Sequence, residues 1–276
     1  MTPRTATTDA LLHGRLVLRQ PAYGHRVNLD AVLLAAFAAT CRPPRPPPPG
    51  GPAFARAADL GAGTGAVGLL LRRAGTVGRC TCVEAEPTLA ALCRENAAVN
   101  GLADTVDVLA ADLRSGLPPS LDHTYTLVVA NPPYLPLAEG RVSPDPLRAA
   151  QRHELRGGLP EFVAAARRLL APGGRLALIY RWRRQAFARR TLAAAGLAVV
   201  RERRHLPCAD AAPTTLCLEA LAGDDPAPGA TPEPERVEIH GRGRRFSPLV
   251  EAFLDGDYRS AARNAASDTT PDRTMR

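Results

Sequence analysis

Between Ala57 and Leu71 the chain spells a strand, a glycine turn and a helix without interruption. Ala57-Ala58-Asp59-Leu60 is a short apolar run around one acid. Gly61-Ala62-Gly63-Thr64-Gly65 follows, and Ala66 to Leu71 carries the apolar residues of a buried helix face. The glycines let the backbone turn tightly and come close to a ligand. Such a unit belongs in an open α/β sheet, whose ligands bind beyond the carboxyl ends of the strands. Gly63 to Gly68 also spells G-x-G-x-x-G, a dinucleotide fingerprint that is weak when it stands alone.

Three later strand-like runs end in residues able to hold a ligand. Cys80 to Val83 leads to Glu84, a carboxylate placed to accept from the ribose hydroxyls of a dinucleotide or of S-adenosylmethionine. Val106 to Ala111 leads to Asp112, which can accept from an adenine amino group. Asp59, just before the first glycine, suits an ammonium group better than a pyrophosphate and favours S-adenosylmethionine. Tyr125 to Ala130 leads to Asn131-Pro132-Pro133-Tyr134. Two prolines in succession supply no N–H, so their carbonyls are left to accept from a ligand. An exocyclic amino group on a flat ring fits here: its hydrogens go to the Asn131 side-chain oxygen and the Pro132 carbonyl, and its ring stacks on Tyr134. Taken alone, the tetrapeptide is also compatible with a strand followed by a Pro-rich turn.

Asp59 to Gly65, Glu84, Asp112 and Asn131 to Tyr134, in this order and spacing, resemble the motifs of class I S-adenosylmethionine-dependent amino-methyltransferases. Enzymes with the tetrad ending in Tyr methylate adenine N6, guanine N2 or a glutamine side chain. Gln20 to Ala35 and Ser143 to Glu154 are further similar to the bacterial tRNA(Val) adenine-N6 methyltransferase family. The resemblance implies a Rossmann-like α/β fold with a seven-stranded, mostly parallel sheet and a C-terminal β-hairpin. It implies S-adenosyl-L-methionine as cofactor, held by Asp30, Asp59, Gly61, Gly63, Gly65, Glu84, Asp112 and Asn131. Asn131, Pro132 and Tyr134 are the catalytic candidates, and RNA, in particular tRNA near the anticodon, is the expected partner. Asp30 is equally well placed as a plain N-cap of the apolar helix Ala31 to Ala39. The alternatives are methylation of a protein glutamine amide, or a non-catalytic RNA-binding module on a methyltransferase scaffold. A nicotinamide-dependent dehydrogenase would leave the Asn-Pro-Pro-Tyr motif unexplained.

Charge bears on the partner once it is divided along the chain. All 35 basic residues are arginine, which reflects genome composition as much as function. From Arg56 to Leu135 there are six arginines against eight acids, whereas from Arg141 to Arg204 there are fifteen against four. The second stretch is expected to face RNA, with a solvated surface as the plain alternative for any one arginine. Arg148, Arg152 and His153 lie in it, and Arg242, Arg244 and Arg245 precede Phe246 in a second basic cluster. All six are expected to touch substrate, as is Tyr134. Phe246 can stack on a base or anchor the tail.

The six cysteines are scattered and are expected to be cytosolic core thiols. His153 has no second His or Cys at ligand spacing, so no metal is expected. No apolar run is long enough for a membrane span and the first nine residues are polar, so a cytoplasmic location is expected. The organisation reads as an N-terminal strand and helix (1–41), a Pro-rich linker (42–52), the methyltransferase core (53–222), a basic extension (223–255) and a disordered tail (256–276). In the core, helices are expected from Glu86 to Gly101, Gly157 to Leu170 and Arg183 to Ala195. Strands are expected over Arg175 to Tyr180, Leu197 to Arg201 and Thr214 to Leu221.

Overall fold

The structure, a computed structural model, describes residues 6–22, 26–133, 158–222, 233–241 and 245–258. Its centre is an eight-stranded sheet. In chain order the strands are β3 (Phe54–Leu60), β4 (Val77–Glu84), β5 (Val106–Ala110), β6 (Tyr125–Ala130), β7 (Leu170–Arg181), β8 (Leu197–Leu206), β9 (Thr215–Ala222) and β10 (Glu235–Glu238). Across the sheet they lie in the order β10-β8-β9-β7-β6-β3-β4-β5. Only β9 runs antiparallel to its neighbours, pairing with β7 and, as a hairpin, with β8. This is the expected architecture with one strand more. The eighth, β10, adds in parallel to β8 from the segment after the Pro-rich stretch near residue 230.

The connecting helices are α2 (Ala66–Arg73), α3 (Pro87–Val99), α4 (Leu159–Leu169) and α5 (Gln185–Ala194); α1 (Leu29–Ala38) precedes the sheet and α6 (Pro248–Leu254) closes the described chain. Pleating sends alternate strand residues to opposite faces. Ala57, Leu127, Val129, Ala177 and Ile179 join the core under α1 and α2, while Ala58, Leu60, Val128, Leu176 and Leu178 join the core under α4 and α5. Helix α1 is Ala- and Leu-rich and buried from Asp30 to Ala38, so it forms by packing on all sides.

An antiparallel hairpin, β1 (Ala6–Leu11) and β2 (Leu16–Pro21), leans on this body. The sequence suggests only a strand around Leu16 to Leu18, because Ala6 to Leu11 carries three consecutive polar residues, Thr7, Thr8 and Asp9, and is exposed at alternate positions. Among the described residues the outer edge of β2 does not pair with a strand. Two amides one turn apart on α3 take its place: Asn100 exchanges hydrogen bonds with the backbone of Val17 (2.9 and 2.6 Å) and Asn96 with that of Arg19 (2.7 and 3.0 Å).

Two boundaries differ from the sequence reading. Strand β7 begins at Leu170, directly after α4, and runs through Ala171-Pro172-Gly173-Gly174 by way of an irregularity in its register with β6. At the other end the expected disordered tail starts too early. Tyr258 is buried, its ring edge-on to Phe253 at 6.4 Å. Ser247 caps α6 by accepting from the Val250 N–H, with Pro248 as the first helical residue.

Candidate active site

The sheet's chain order reverses between β3 and β6. From β3 the chain moves to β4 and β5 on one side, then returns to lay β6 and β7 on the other. In open α/β sheets the crevice at such a switch point takes the ligand. The register puts Leu60 beside Ala130 and Val83 beside Leu60, so the next residues, Gly61, Glu84 and Asn131, line one carboxyl edge. Asp112 stands two residues past Ala110, the partner of Glu84.

The glycine turn is fixed from below. Gly65, at φ +89°, is the residue before α2, and a Cβ there would come within 2.5 Å of the Cys93 sulfur. Gly68, in the first turns of α2, leaves room for Cys80 and Cys82, both of which point to it as strand alternation requires. Asn96, fully buried, donates to the Thr64 carbonyl at 2.9 Å and so ties the turn to α3 and to β2. Gly61 is exposed, with the Phe162 ring of α4 behind it.

Each predicted acid has a defined place. Glu84 accepts from the Gly63 N–H (2.8 Å) and the Glu86 N–H (2.8 Å), joining the end of β4 to the turn. Asp112 is half-buried; it accepts from the Arg114 N–H (2.9 Å) and pairs with the Arg114 side chain (2.6 Å). Asp30 is buried in the first turn of α1 and accepts from the Asn28 side chain at 3.3 Å. The helix therefore starts after Asn28, two residues earlier than an Asp30 cap would place it.

Asp59 departs most from the sequence reading. It lies beneath the turn, 2% exposed, and accepts from the Gly68 N–H at 2.9 Å. Burial pushes its carboxyl up to about 7; the Gly68 N–H opposes the shift and the nearby Glu84 charge adds to it. Its direct partner is the start of α2.

Asn131 and Pro133 are half-buried and Pro132 is buried, at the end of β6. Tyr134, Arg148, Arg152, His153, Arg242 and Arg244 lie outside the described residues; Arg245 is exposed in the turn after β10. Among the described residues no cluster of His, Cys, Asp or Glu could hold a metal ion, and no helix is long and apolar enough to cross a membrane. Five cysteines are buried thiols and Cys208 is exposed.

Residues 51–195, more than half of the chain, match the methyltransferase small domain family. The chain is a member of that family. This methyltransferase is 27% identical to the tRNA1(Val) (adenine(37)-N6)-methyltransferase of Parabacteroides distasonis over 83% of its own length and 90% of the relative. It is 32% identical to the protein of the same name from Porphyromonas gingivalis, over 62% of this chain and 65% of that relative, just under two thirds of its length. A release factor glutamine methyltransferase from Mycolicibacterium smegmatis is 40% identical, but over only 44% of this chain and 43% of its own. Among solved structures, a predicted O-methyltransferase from Agrobacterium tumefaciens superposes with a TM-score of 0.57 at 21% identity, covering 82% of this chain and 96% of that one. A 16S rRNA N2 methyltransferase from T. thermophilus, solved with AdoMet and guanosine, gives 0.51 at 20% identity over 79% of this chain and 50% of that one. These likenesses establish the class I methyltransferase fold.

Six arginines of the basic stretch are paired inside the structure. Arg168 pairs with Asp122, Arg175 with Glu219, Arg201 with Glu219 and Glu235, Arg203 with Glu235, and Arg189 and Arg204 with the buried Glu202. A count of charge along the chain cannot separate these from arginines that face solvent.

Proposed function

We propose that this protein transfers a methyl group from S-adenosylmethionine to the N6 amino nitrogen of an adenine in RNA, in particular in tRNA near the anticodon. The observation that carries the reading is the register that sets Asn131 beside Gly61 at the switch point of the sheet. It puts an amide with two following prolines at the same sheet edge as the glycine turn.

The residues present fit the donor. The turn offers an exposed glycine, Glu84 at the end of β4 is the carboxylate for ribose hydroxyls, and Asp112 stands where an adenine amino group would follow. Thr64 Oγ1, buried in the same turn, has no hydrogen-bond partner among the described residues. S-adenosylmethionine supplies a methyl group already activated by its sulfonium. The protein's task is the nucleophile, an exocyclic nitrogen whose lone pair is delocalised into the ring. The Asn131 side-chain oxygen and the Pro132 carbonyl accept its two hydrogens, favour a pyramidal nitrogen and aim the lone pair at the methyl carbon. This is catalysis by positioning and fixed dipoles. Tyr134 is assigned the stacking role on the extruded base, which tRNA loops present partly unstacked.

A glutamine amide also carries a planar NH2 group, and the release factor relative is a reason to consider it. The tRNA relative from Parabacteroides distasonis matches nearly twice as much of this chain, which favours adenine. Incubation with labelled methyl donor and unmodified total tRNA, then nucleoside mass spectrometry, tests the reading. N6-methyladenosine is expected; N2-methylguanosine, or label on a release factor and none on tRNA, would overturn it.

A further inference from the structure

Arg19 and Gln20, adjacent in β2, reach toward two different walls of the crevice. The Arg19 backbone exchanges hydrogen bonds with Asn96, whose other amide hydrogen goes to the Thr64 carbonyl in the glycine turn at 2.9 Å. The Gln20 side chain goes the other way, to Val27, two residues before α1. Its oxygen accepts from the Val27 N–H at 2.6 Å, and its nitrogen donates to the Asp9 side chain in β1 at 2.6 Å. Arg26, beside Val27, pairs with the same Asp9 carboxylate and donates to the Thr7 hydroxyl at 2.8 Å. The chain entering α1 is thus fastened to both strands of the hairpin. Gln20 also stands in an apolar row: Leu16 and Leu18 are fully buried on the same face of β2, and Gln20 follows at 3% exposed. An amide in such a row is costly unless both of its ends are bonded, as they are here.

The first turn of α1 lies at the carboxyl edge of the sheet. At the other end of the helix the Phe37 and Thr40 carbonyls accept from Arg201, near the beginning of β8, at 3.0 and 2.8 Å. Strand β8 runs parallel to β7, because both are antiparallel to β9. The end of α1 is therefore at the amino edge. Its start, roughly 15 Å back along the helix axis, is at the edge that carries Gly61 and Asn131. Cys217 of β9 senses Asp30 there: burial raises the thiol, the Arg203 and Arg201 charges oppose the shift, and the Asp30 charge adds to it. Cys217 pairs with Ile179, one residue past Leu178, the partner of Ala130. With α1 packed on α2, the start of α1 and the glycine turn before α2 stand on neighbouring sides of the crevice.

We infer that Gln20 is a positioning residue for the cofactor: through Val27 it fixes the first turn of α1 against the glycine turn that Arg19 holds through Asn96, so that β2 sets the width of the crevice. A ligand entering walls that are already placed orders less of the protein and binds more tightly. Without the Gln20 bonds, part of the binding free energy goes into fixing the start of α1. The inference rests on the reading of S-adenosylmethionine as the ligand of this crevice.

The test compares the full-length wild type with Gln20→Met and Asn100→Ala. Methionine matches glutamine in length but makes neither bond. Asn100→Ala loosens the hairpin at Val17, away from Val27 and Thr64. S-adenosylmethionine affinity is measured by calorimetry, KM and kcat by methyl transfer to unmodified tRNA, and hydrogen exchange of the Ala31 amide, which donates to the Asn28 carbonyl, without ligand. Gln20→Met should bind S-adenosylmethionine at least about fivefold more weakly, a size usual for coupling between sites. Its KM for the donor should rise with kcat within about twofold, as loss of uniform binding requires, and Ala31 should exchange faster. Asn100→Ala should lower the urea midpoint and leave donor affinity and Ala31 exchange near wild type. Wild-type affinity and exchange in Gln20→Met overturn the inference. So does an equal loss of affinity in Asn100→Ala, which would make general loosening of the hairpin the cause. Should Gln20→Met not fold, Asp9→Ala removes the amide's other partner at a partly exposed site, and the same outcomes decide in milder form. The exchange comparison needs no ligand. Wild-type protein that does not bind S-adenosylmethionine refutes the donor, while Ala31 exchange still decides whether Gln20 holds α1 in place.

Discussion

The side-chain amide of Asn96 exchanges two hydrogen bonds with the backbone of Arg19, accepting at 2.7 Å and donating at 3.0 Å. Its second amide hydrogen goes to Thr64 in the glycine turn, so one buried residue couples the N-terminal hairpin to the crevice. Asn96→Ala leaves three backbone groups without partners. A loss of about 2–4 kcal/mol is expected, read as a lower urea midpoint, because a buried polar group left unsatisfied costs about 1–3 kcal/mol. The Arg19 amide should lose hydrogen-exchange protection first. Unchanged stability with intact protection would remove Asn96 from this role.

Glu84 holds the Gly63 N–H and is also the candidate for ribose hydroxyls. Glu84→Gln keeps the shape and removes the charge. Charge-assisted hydrogen bonds contribute about 1.5–3 kcal/mol, so S-adenosylmethionine affinity should fall roughly ten- to a hundredfold by calorimetry. The melting temperature gained on adding the cofactor should shrink with it. Wild-type affinity in this variant would place the ribose elsewhere.

Asp59 gives the fold a pH dependence of definite sign. Its folded-state pKa is raised from 3.8 to about 7, chiefly by burial. Between those values the folded protein holds a proton that the unfolded chain has released. This contribution is therefore largest at low pH, falls as pH rises through the window by up to about 1.4 kcal/mol per unit, and is flat above it. Asp59→Asn should remove that slope from a urea-unfolding series between pH 5 and pH 8. An identical slope in the variant would show that Asp59 titrates normally.

Gly68 is needed for space. An added methyl group would meet the Cys82 sulfur at 2.8 Å and the Cys80 sulfur at 2.9 Å. Gly68→Ala should cost about 1–3 kcal/mol, as overpacked cores do. Adding Cys82→Ala should recover part of that loss, a coupling that a double-mutant cycle measures. Strict additivity would rule out the clash as the cause.

The crevice was legible because its parts are local. Asp59 to Leu71, Glu84, Asp112 and Asn131 each sit at the end of an apolar run, and a parallel sheet brings such ends together whatever the loops do. The use of those residues was less legible. Asp59 was read toward an ammonium group, yet the following helix presents the Gly68 N–H to it, a contact nine residues away that no pattern displays. Asn96 in α3 and Asn100 just past its end were readable only as polar interruptions of a helix face, since their partners Arg19 and Val17 are about 80 residues distant. Pairing within the basic stretch was hidden for the same reason: Glu202, Glu219 and Glu235 pair with arginines across strands, and a running count does not see neighbours in a sheet.

The central claim is that Asn131, at the switch point beside Gly61, acts on the substrate amine. Single-turnover methyl transfer to unmodified tRNA by wild type and Asn131→Ala, with S-adenosylmethionine affinity measured on the same samples, tests it most directly. The expected result is a rate lower by about a hundredfold or more with cofactor affinity within a few-fold, because a group acting in the transition state lowers the rate constant more than it weakens binding. A wild-type rate in Asn131→Ala, or a loss of rate that merely tracks a loss of cofactor affinity, would contradict it.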